Sequence, residues 1–130
     1  ITHSSFLKEI INRIQAAGVR VSIFIDPIPE RIEGAAKVGT DRIELYTEAY
    51  ATGYLKDKEA AVRPYANTGK LAKDLGLGVN AGHDLDLNNV KYLKEQIPFM
   101  DEVSIGHALV CDALYYGLEN TIELYRRELQ

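Results

Sequence analysis

The sequence predicts an α/β fold that forms part of a (β/α)8 barrel, and three observations predict it. Helix-like and strand-like segments alternate along all 130 residues, and strands joined by helical crossovers form parallel sheets. Each strand-like segment carries one aliphatic face and one smaller or more polar face. A doubly wound sheet is covered on both sides and reads apolar on both. A barrel strand turns one face to a lumen that can hold polar groups. Gly-His pairs end two consecutive strand-like runs, Val79-Asn80-Ala81-Gly82-His83 and Val103-Ser104-Ile105-Gly106-His107.

Phe6, Leu7, Ile10, Ile11 and Ile14 recur at helical spacing, with Gly18 as a stop and Ser4 or Ser5 as a cap. Residues 19–26 are a β-branched run ended by Pro27. Pro29 suits the first position of the next helix and Gly39 its end. Residues 42–47 read as a strand, and 48–57 as a less regular stretch. Pro64 opens or kinks a helix running to about Leu75. A strand follows over 76–82. Leu87, Val90, Leu93 and Ile97 then mark one helix face before Pro98. Residues 102–105 form the last strand, and Leu114, Leu118, Ile122 and Tyr125 line one long final helix.

Alternation resolves the strand faces. Val21, Ile23 and Ile25 oppose Ser22, Phe24 and Asp26; Ile43 and Leu45 oppose Glu44 and Tyr46. Leu77, Val79 and Ala81 oppose Gly78 and Asn80; Val103 and Ile105 oppose Ser104 and Gly106. Four βα units make half of an eight-stranded barrel. Alone, that half leaves two sheet edges and its lumen face bare. Residues 1–130 are therefore expected to be one half of a single barrel domain that docks on another half. A flavodoxin-like sheet is the alternative architecture.

Composition excludes some functions. The chain is 46% hydrophobic and 26% charged, with a net charge of −4. That balance gives no electrostatic case for nucleic acid or an anionic membrane. No apolar run approaches ~20 residues, and the first residues lack a signal-peptide layout. The single cysteine, Cys111, fits a reducing compartment and reads as a small helix-packing residue. A cytoplasmic location is expected.

Side chains at the carboxyl ends of barrel strands face the substrate. His83 stands there and suits a general acid; a loop histidine bonded to its own backbone is the plain alternative. Gly106-His107, between the last strand and last helix, suits a backbone phosphate cradle or a simple turn. Glu44 is mid-strand on the lumen side, where a carboxylate needs a partner: a histidine, an arginine or a substrate group. Asp26 reads as a cap for the helix after Pro27. Tyr46, Tyr50, Tyr54 and Tyr65 cluster near one loop and read as amphipathic packing, with part of a wall or a subunit contact as the alternative. His3 has no evident partner, and no HxH, HExxH or CxxC spacing suggests a metal site.

Asp41-Arg42-Ile43-Glu44-Leu45-Tyr46-Thr47, the two Gly-His segments extended to Leu109, and Arg20-Val21-Ser22-Ile23-Phe24-Ile25-Asp26-Pro27 together resemble the pyridoxine 5′-phosphate synthase family. The resemblance implies a (β/α)8 barrel of which this chain supplies strands five to eight. It implies condensation of 3-amino-2-oxopropyl phosphate with 1-deoxy-D-xylulose 5-phosphate, giving pyridoxine 5′-phosphate, phosphate and water, without metal or organic cofactor, in an octamer. By position, His83 matches the family's general acid and Glu44 a carboxylate that stabilises a charged intermediate. Gly106 and His107 match the phosphate cradle. Asp84 stands where many members have glycine and is expected to turn its carboxylate from the substrate phosphate while its backbone still binds. Glu48 replaces an expected small residue. The family's Asn-Val-Asp-His motif, further bases and substrate-holding arginines lie on the first four strands, so this chain alone is expected to be inactive. A phosphate-sugar-binding half-barrel without chemistry is the alternative function. Another phosphate-binding barrel enzyme, such as an isomerase, would need a different constellation.

Overall fold

The computed structural model describes residues 3–130. Helix α1 (Ser4–Ala16) leads to strand β1 (Ser22–Ile25), helix α2 (Pro29–Val38) and strand β2 (Arg42–Tyr46). Helices α3 (Glu48–Tyr54) and α4 (Lys58–Asp74) precede strand β3 (Gly78–Gly82). Helix α5 (Val90–Gln96), strand β4 (Glu102–Ser104) and helices α6 (His107–Tyr116) and α7 (Leu118–Glu128) complete the order. The strands form one parallel sheet, β1-β2-β3-β4. Crossovers of one hand between strands in sequential order place all helices on one face. A doubly wound sheet reverses its order partway. This sheet does not, so the arc is consistent with a partial barrel rather than a flavodoxin-like layer.

Register explains what each face holds. Ile23, Ile43 and Val79 form one row, and Ile25, Leu45, Ala81 and Val103 the next. Ile43, Leu45, Val79 and Ala81 are fully or almost fully buried, packed with Ile32, Val62, Tyr65, Val90 and Leu93 of the helices. The opposite face carries Ser22-Arg42-Gly78, then Phe24-Glu44-Asn80-Glu102, then Tyr46-Gly82-Ser104. Among the described residues no helix packs on it: Phe24 is 54% exposed and Ser22, Glu102 and Ser104 are exposed, while Asn80 is buried beneath its own side-chain partners.

At the strands' N-terminal end, charges close a network across this open face. Arg42 Nη1 lies 3.1 Å from Asp101 Oδ2 and donates to Asn80 Oδ1 at 3.1 Å. Asn80 Nδ2 donates to Glu102 Oε2 at 2.9 Å, and Arg20 Nη2 donates to Glu102 Oε1 at 2.8 Å. Arg20 precedes one edge strand and Glu102 opens the other, about 14 Å away at ordinary strand spacing. Their contact is what a sheet curled around its polar face produces. A Cβ on Gly78 would sit 2.7 Å from Arg42 Cγ, so glycine there leaves the lane this arginine crosses.

Several local expectations need correction. The helix start at Pro29 and its left-handed end at Gly39 (φ 80°) form as predicted. Ser4 begins α1 rather than capping it; His3 is the cap residue, without a side-chain bond. Asp26 does not cap α2; its carboxylate pairs with Arg31 of the helix's first turn. The stretch after Thr47 folds into α3, and Asp57 then caps α4 by accepting the Ala60 N–H at 2.9 Å. Pro64 therefore lies inside α4 instead of opening it. The final helix breaks at Gly117 (φ 79°, ψ 147°) into α6 and α7, which Tyr125 ties by donating to Asp112 Oδ2 at 2.8 Å. Burial, and then that carboxylate, push the Tyr125 hydroxyl well above its ordinary pKa. Cys111 is exposed on α6 rather than buried at a helix contact.

Two outcomes check this architecture. Leu45→Ala, in the sealed face, is expected to cost about 2–5 kcal/mol in urea unfolding of this chain, and Ser22→Ala, on the open face, at most about 0.5 kcal/mol. The Asp41 carboxylate accepts the Val21 N–H at 2.7 Å; that bond, followed by Gln15, holds its pKa below the usual value. A depressed folded value means the contribution is full above the ordinary carboxylate range and is lost as pH falls through the lowered one. Asp41→Asn should thus flatten the loss of stability on acidification through roughly pH 4, read by urea melts at stepped pH.

Candidate active site

The carboxyl ends of β1 to β4 open into a cleft of about 620 Å³ lined by Phe24, Glu44, His83, Asp84, Gly106 and His107, with residues 103–105 between them. The fold thus brings every predicted site residue to one place. Glu44 is on β2, His83 and Asp84 follow β3, Gly106 lies in the loop after β4 and His107 opens α6.

Glu44 projects from the central strand β2 on the open face, level with Asn80. Its carboxylate leans over β3: a Cβ on Gly82 would lie 2.5 Å from Glu44 Oε1 and 2.9 Å from Ser104 Cβ. Gly82 is therefore small to make room for a carboxylate. The expected protein partner of Glu44 does not appear. Among the described residues none bonds or ion-pairs with it, and Arg42 is turned to Asp101 and Asn80 instead.

His83 and Asp84 follow with φ of 90° and 57°, left-handed values that side chains rarely adopt. Such conformations cost about 1–3 kcal/mol each and persist where surroundings over-determine them. Here the surroundings are identifiable. The fully buried Thr47 hydroxyl lies 2.7 Å from Gly82 O and 2.5 Å from His83 O. Thr47 N–H also donates to Gly82 O at 2.9 Å. Asn89 Nδ2 donates to Asp84 O at 3.2 Å, and Asn89 is itself fixed by the Tyr50 hydroxyl, which donates to its carbonyl at 2.7 Å. Asp86 Oδ1 accepts the Asn88 and Asn89 N–H groups at 2.8 and 3.0 Å, closing the turn. Burial raises the Tyr50 and Tyr65 hydroxyl pKa values, so both remain neutral donors.

The His83 ring stands edge-on to Tyr46, 4.8 Å between centroids, and Tyr46 tilts against Phe24 at 5.1 Å. Tyr46 thus belongs to the open face, apart from the packed cluster of Tyr50, Tyr54 and Tyr65. His83 Nδ1 lies 3.1 Å from Asp84 Oδ2. A proton on Nδ1 shared with that carboxylate leaves Nε2 to exchange protons. Asp84 occupies its carboxylate with His83 while still lining the cleft.

Gly106 caps α6 at φ −110°, and a Cβ there would meet open space. No side chain caps this helix, so its first-turn N–H groups have no side-chain partner, and Gly106 and His107 at its start line the cleft. The two Gly-His pairs are therefore unlike: one glycine accommodates Glu44, and the other fronts a bare helix start. No lysine or arginine lines the cleft among the described residues. The arginines of the open face, Arg20 and Arg42, stand at the other end, neutralised by Asp101 and Glu102. Among the described residues no three His, Cys, Asp or Glu side chains converge as a metal site.

Sequence reasoning missed Thr47 and Asn89. Neither type is diagnostic, and their partners are backbone atoms of a loop whose conformation the sequence does not display. Gly82→Ala should destabilise the protein by about 1–3 kcal/mol, the range for overpacking, in denaturant melts.

Comparison with known proteins gives the family. The family model described as "Pyridoxal phosphate biosynthesis protein PdxJ" matches residues 1–130. The pyridoxine 5′-phosphate synthase of Cytophaga hutchinsonii is 65% identical over the whole chain, which covers 55% of that relative. The proteins of the same name from Christiangramia forsetii and Flavobacterium johnsoniae are 55% and 52% identical, again over all of this chain and 55% of theirs. The chain thus spans about half the length of the curated relatives it matches. A match along its entire length, with the predicted residues gathered at one strand-end cleft, places this chain in the PdxJ family of pyridoxal phosphate biosynthesis proteins.

Proposed function

We propose that this chain supplies strands five to eight of a pyridoxine 5′-phosphate synthase barrel. The assembled barrel condenses 3-amino-2-oxopropyl phosphate with 1-deoxy-D-xylulose 5-phosphate, releasing phosphate and water. The observation that carries this reading is the shared cleft: Glu44, His83, Asp84, Gly106 and His107 line one opening at the strands' carboxyl ends. The names of the relatives support the reaction class.

Each residue has a role that its setting suits. Joining an amine to a ketone builds positive charge on nitrogen as the C=N bond forms. Glu44, a carboxylate without a protein partner, stabilises that charge. His83 delivers a proton to departing oxygen through Nε2, with Nδ1 steadied by Asp84. The uncapped start of α6, at Gly106 and His107, holds the amino-ketone phosphate through backbone N–H groups and the helix dipole. The Asp84 backbone adds to that cradle. An unpaired carboxylate beside a phosphate site hinders simple anion binding, which favours catalysis over the reading as a binding module alone.

The arc is half of the machinery. Two phosphorylated substrates need cations, and the cleft offers none. Several proton transfers need bases besides His83. The uncovered polar face and the unpaired outer edges of β1 and β4 are where the remaining strands join. The completed barrels assemble as an octamer in the cytoplasm.

A chimera tests this. Residues 1–130 would replace the matching C-terminal segment of the Cytophaga hutchinsonii relative. The chimera should form pyridoxine 5′-phosphate, His83→Ala should reduce kcat by roughly 10²–10⁴-fold, and the 130-residue chain alone should form none. Robust turnover by the isolated chain, or an unimpaired His83→Ala, contradicts the proposal.

A further inference from the structure

Resting on the reaction proposed above, we infer that Thr47 is a positioning residue: its buried hydroxyl shares its one proton between the Gly82 and His83 carbonyls and so sets the His83 imidazole in the cleft. Thr47 directly follows β2, at the start of α3, and touches neither cleft nor solvent. Nothing about helix capping uses its hydroxyl, because α3 starts after it without a side-chain cap. The hydroxyl instead faces two successive carbonyls at 2.7 and 2.5 Å. These carbonyls flank the peptide where the chain turns left-handed, at His83 (φ 90°) and then Asp84 (φ 57°).

The geometry has a reason. An extended strand points successive carbonyls in opposite directions, so one donor cannot reach two of them. The left-handed turn at His83 swings its carbonyl back beside that of Gly82; the Thr47 N–H already holds Gly82 O, and the hydroxyl adds the hold on His83 O. Released, the chain would relax toward negative φ. The imidazole would leave its edge-on contact with Tyr46 and its Nδ1 contact with Asp84. Thr47 is the residue after β2, the strand that carries Glu44, so the clasp also ties the loop bearing His83 to the end of that strand. Asn89 holds the far side of the loop through Asp84 O, which leaves Thr47 as the hold on His83 itself.

The test uses the intact protein, with this chain in its complete barrel. Thr47→Val and Thr47→Ala remove the hydroxyl, and Thr47→Ser keeps it. The NMR signal of the His83 imidazole, assigned by its loss in His83→Gln, should move in Thr47→Val and Thr47→Ala. It should stay put in Thr47→Ser, with His107 unmoved throughout. A misplacement of about 1 Å costs on the order of 10²-fold in rate, so kcat should fall roughly 10–100-fold with KM for both substrates within about twofold. Thr47→Ser should recover kcat to within about threefold, and Thr47→Val should add less than about twofold in a His83→Gln background. An unmoved His83 signal in Thr47→Val, a Thr47→Ser as slow as Thr47→Val, or a full additional loss in the His83→Gln background overturns the assignment. If the parent protein fails to condense the two substrates, the proposed reaction fails. The imidazole signal still decides the role of Thr47.

Discussion

The parallel register of β1 to β4 sets two aliphatic rows under the helices and leaves three polar rows bare, and the site follows from that asymmetry. Hydrophobic burial acts on one face only. Ile43, Leu45, Val79 and Ala81 anchor the sheet to its helices, which frees the other face to carry Arg42, Glu44 and Asn80. A sheet covered on both sides would hold a carboxylate such as Glu44 only with a partner. Here the open face keeps it beside a cleft. The two glycines of β3 divide the space: Gly78 passes the Arg42 side chain and Gly82 passes the Glu44 carboxylate.

The same asymmetry separates the charges by function. Arg20, Arg42, Asp101 and Glu102 satisfy one another at the strands' N-terminal end, with Asn80 between them. That end is internally balanced and has little left to offer a ligand. At the carboxyl end, polar groups remain available: a carboxylate without a partner, a histidine steadied on one nitrogen and a helix start without a cap. The strained pair His83-Asp84 sits where these meet. Its cost is offset by buried, well-formed hydrogen bonds from Thr47, Asn89 and Tyr50, which are structural groups serving a site they do not enter.

Much of this was legible in the sequence because it rests on period. Alternation alone separated Ile43 and Leu45 from Glu44 and Tyr46, and the sheet keeps that separation. Pro29 and Gly39 bounded their helix because each acts on its own backbone. Misses occurred where tertiary context decides. Gly117 breaks a pattern whose apolar spacing ran straight through it, and of the two readings of Pro64 the one that opens the helix fails, because Asp57 caps α4 earlier. Asp26 was read as a cap, but the competing charge of Arg31 takes its carboxylate. Of the site, the reactive residue types were visible. The reason for Gly82 was not, since it depends on a side chain of the neighbouring strand. The Thr47 clasp was hidden too, because it depends on a positive φ at a residue other than glycine.

The central claim is that the carboxyl end of this arc holds phosphate at the start of α6 while Glu44 and His83 face the reacting carbons. The most direct measurement is a crystal structure of the intact protein with 3-amino-2-oxopropyl phosphate bound. The account predicts phosphate oxygens on the N–H groups of Gly106 and His107, with the amine end directed toward Glu44 and His83. Phosphate seated at the opposite end, against Arg20 and Arg42, or a ligand that leaves Gly106 and His107 uncontacted, would contradict it.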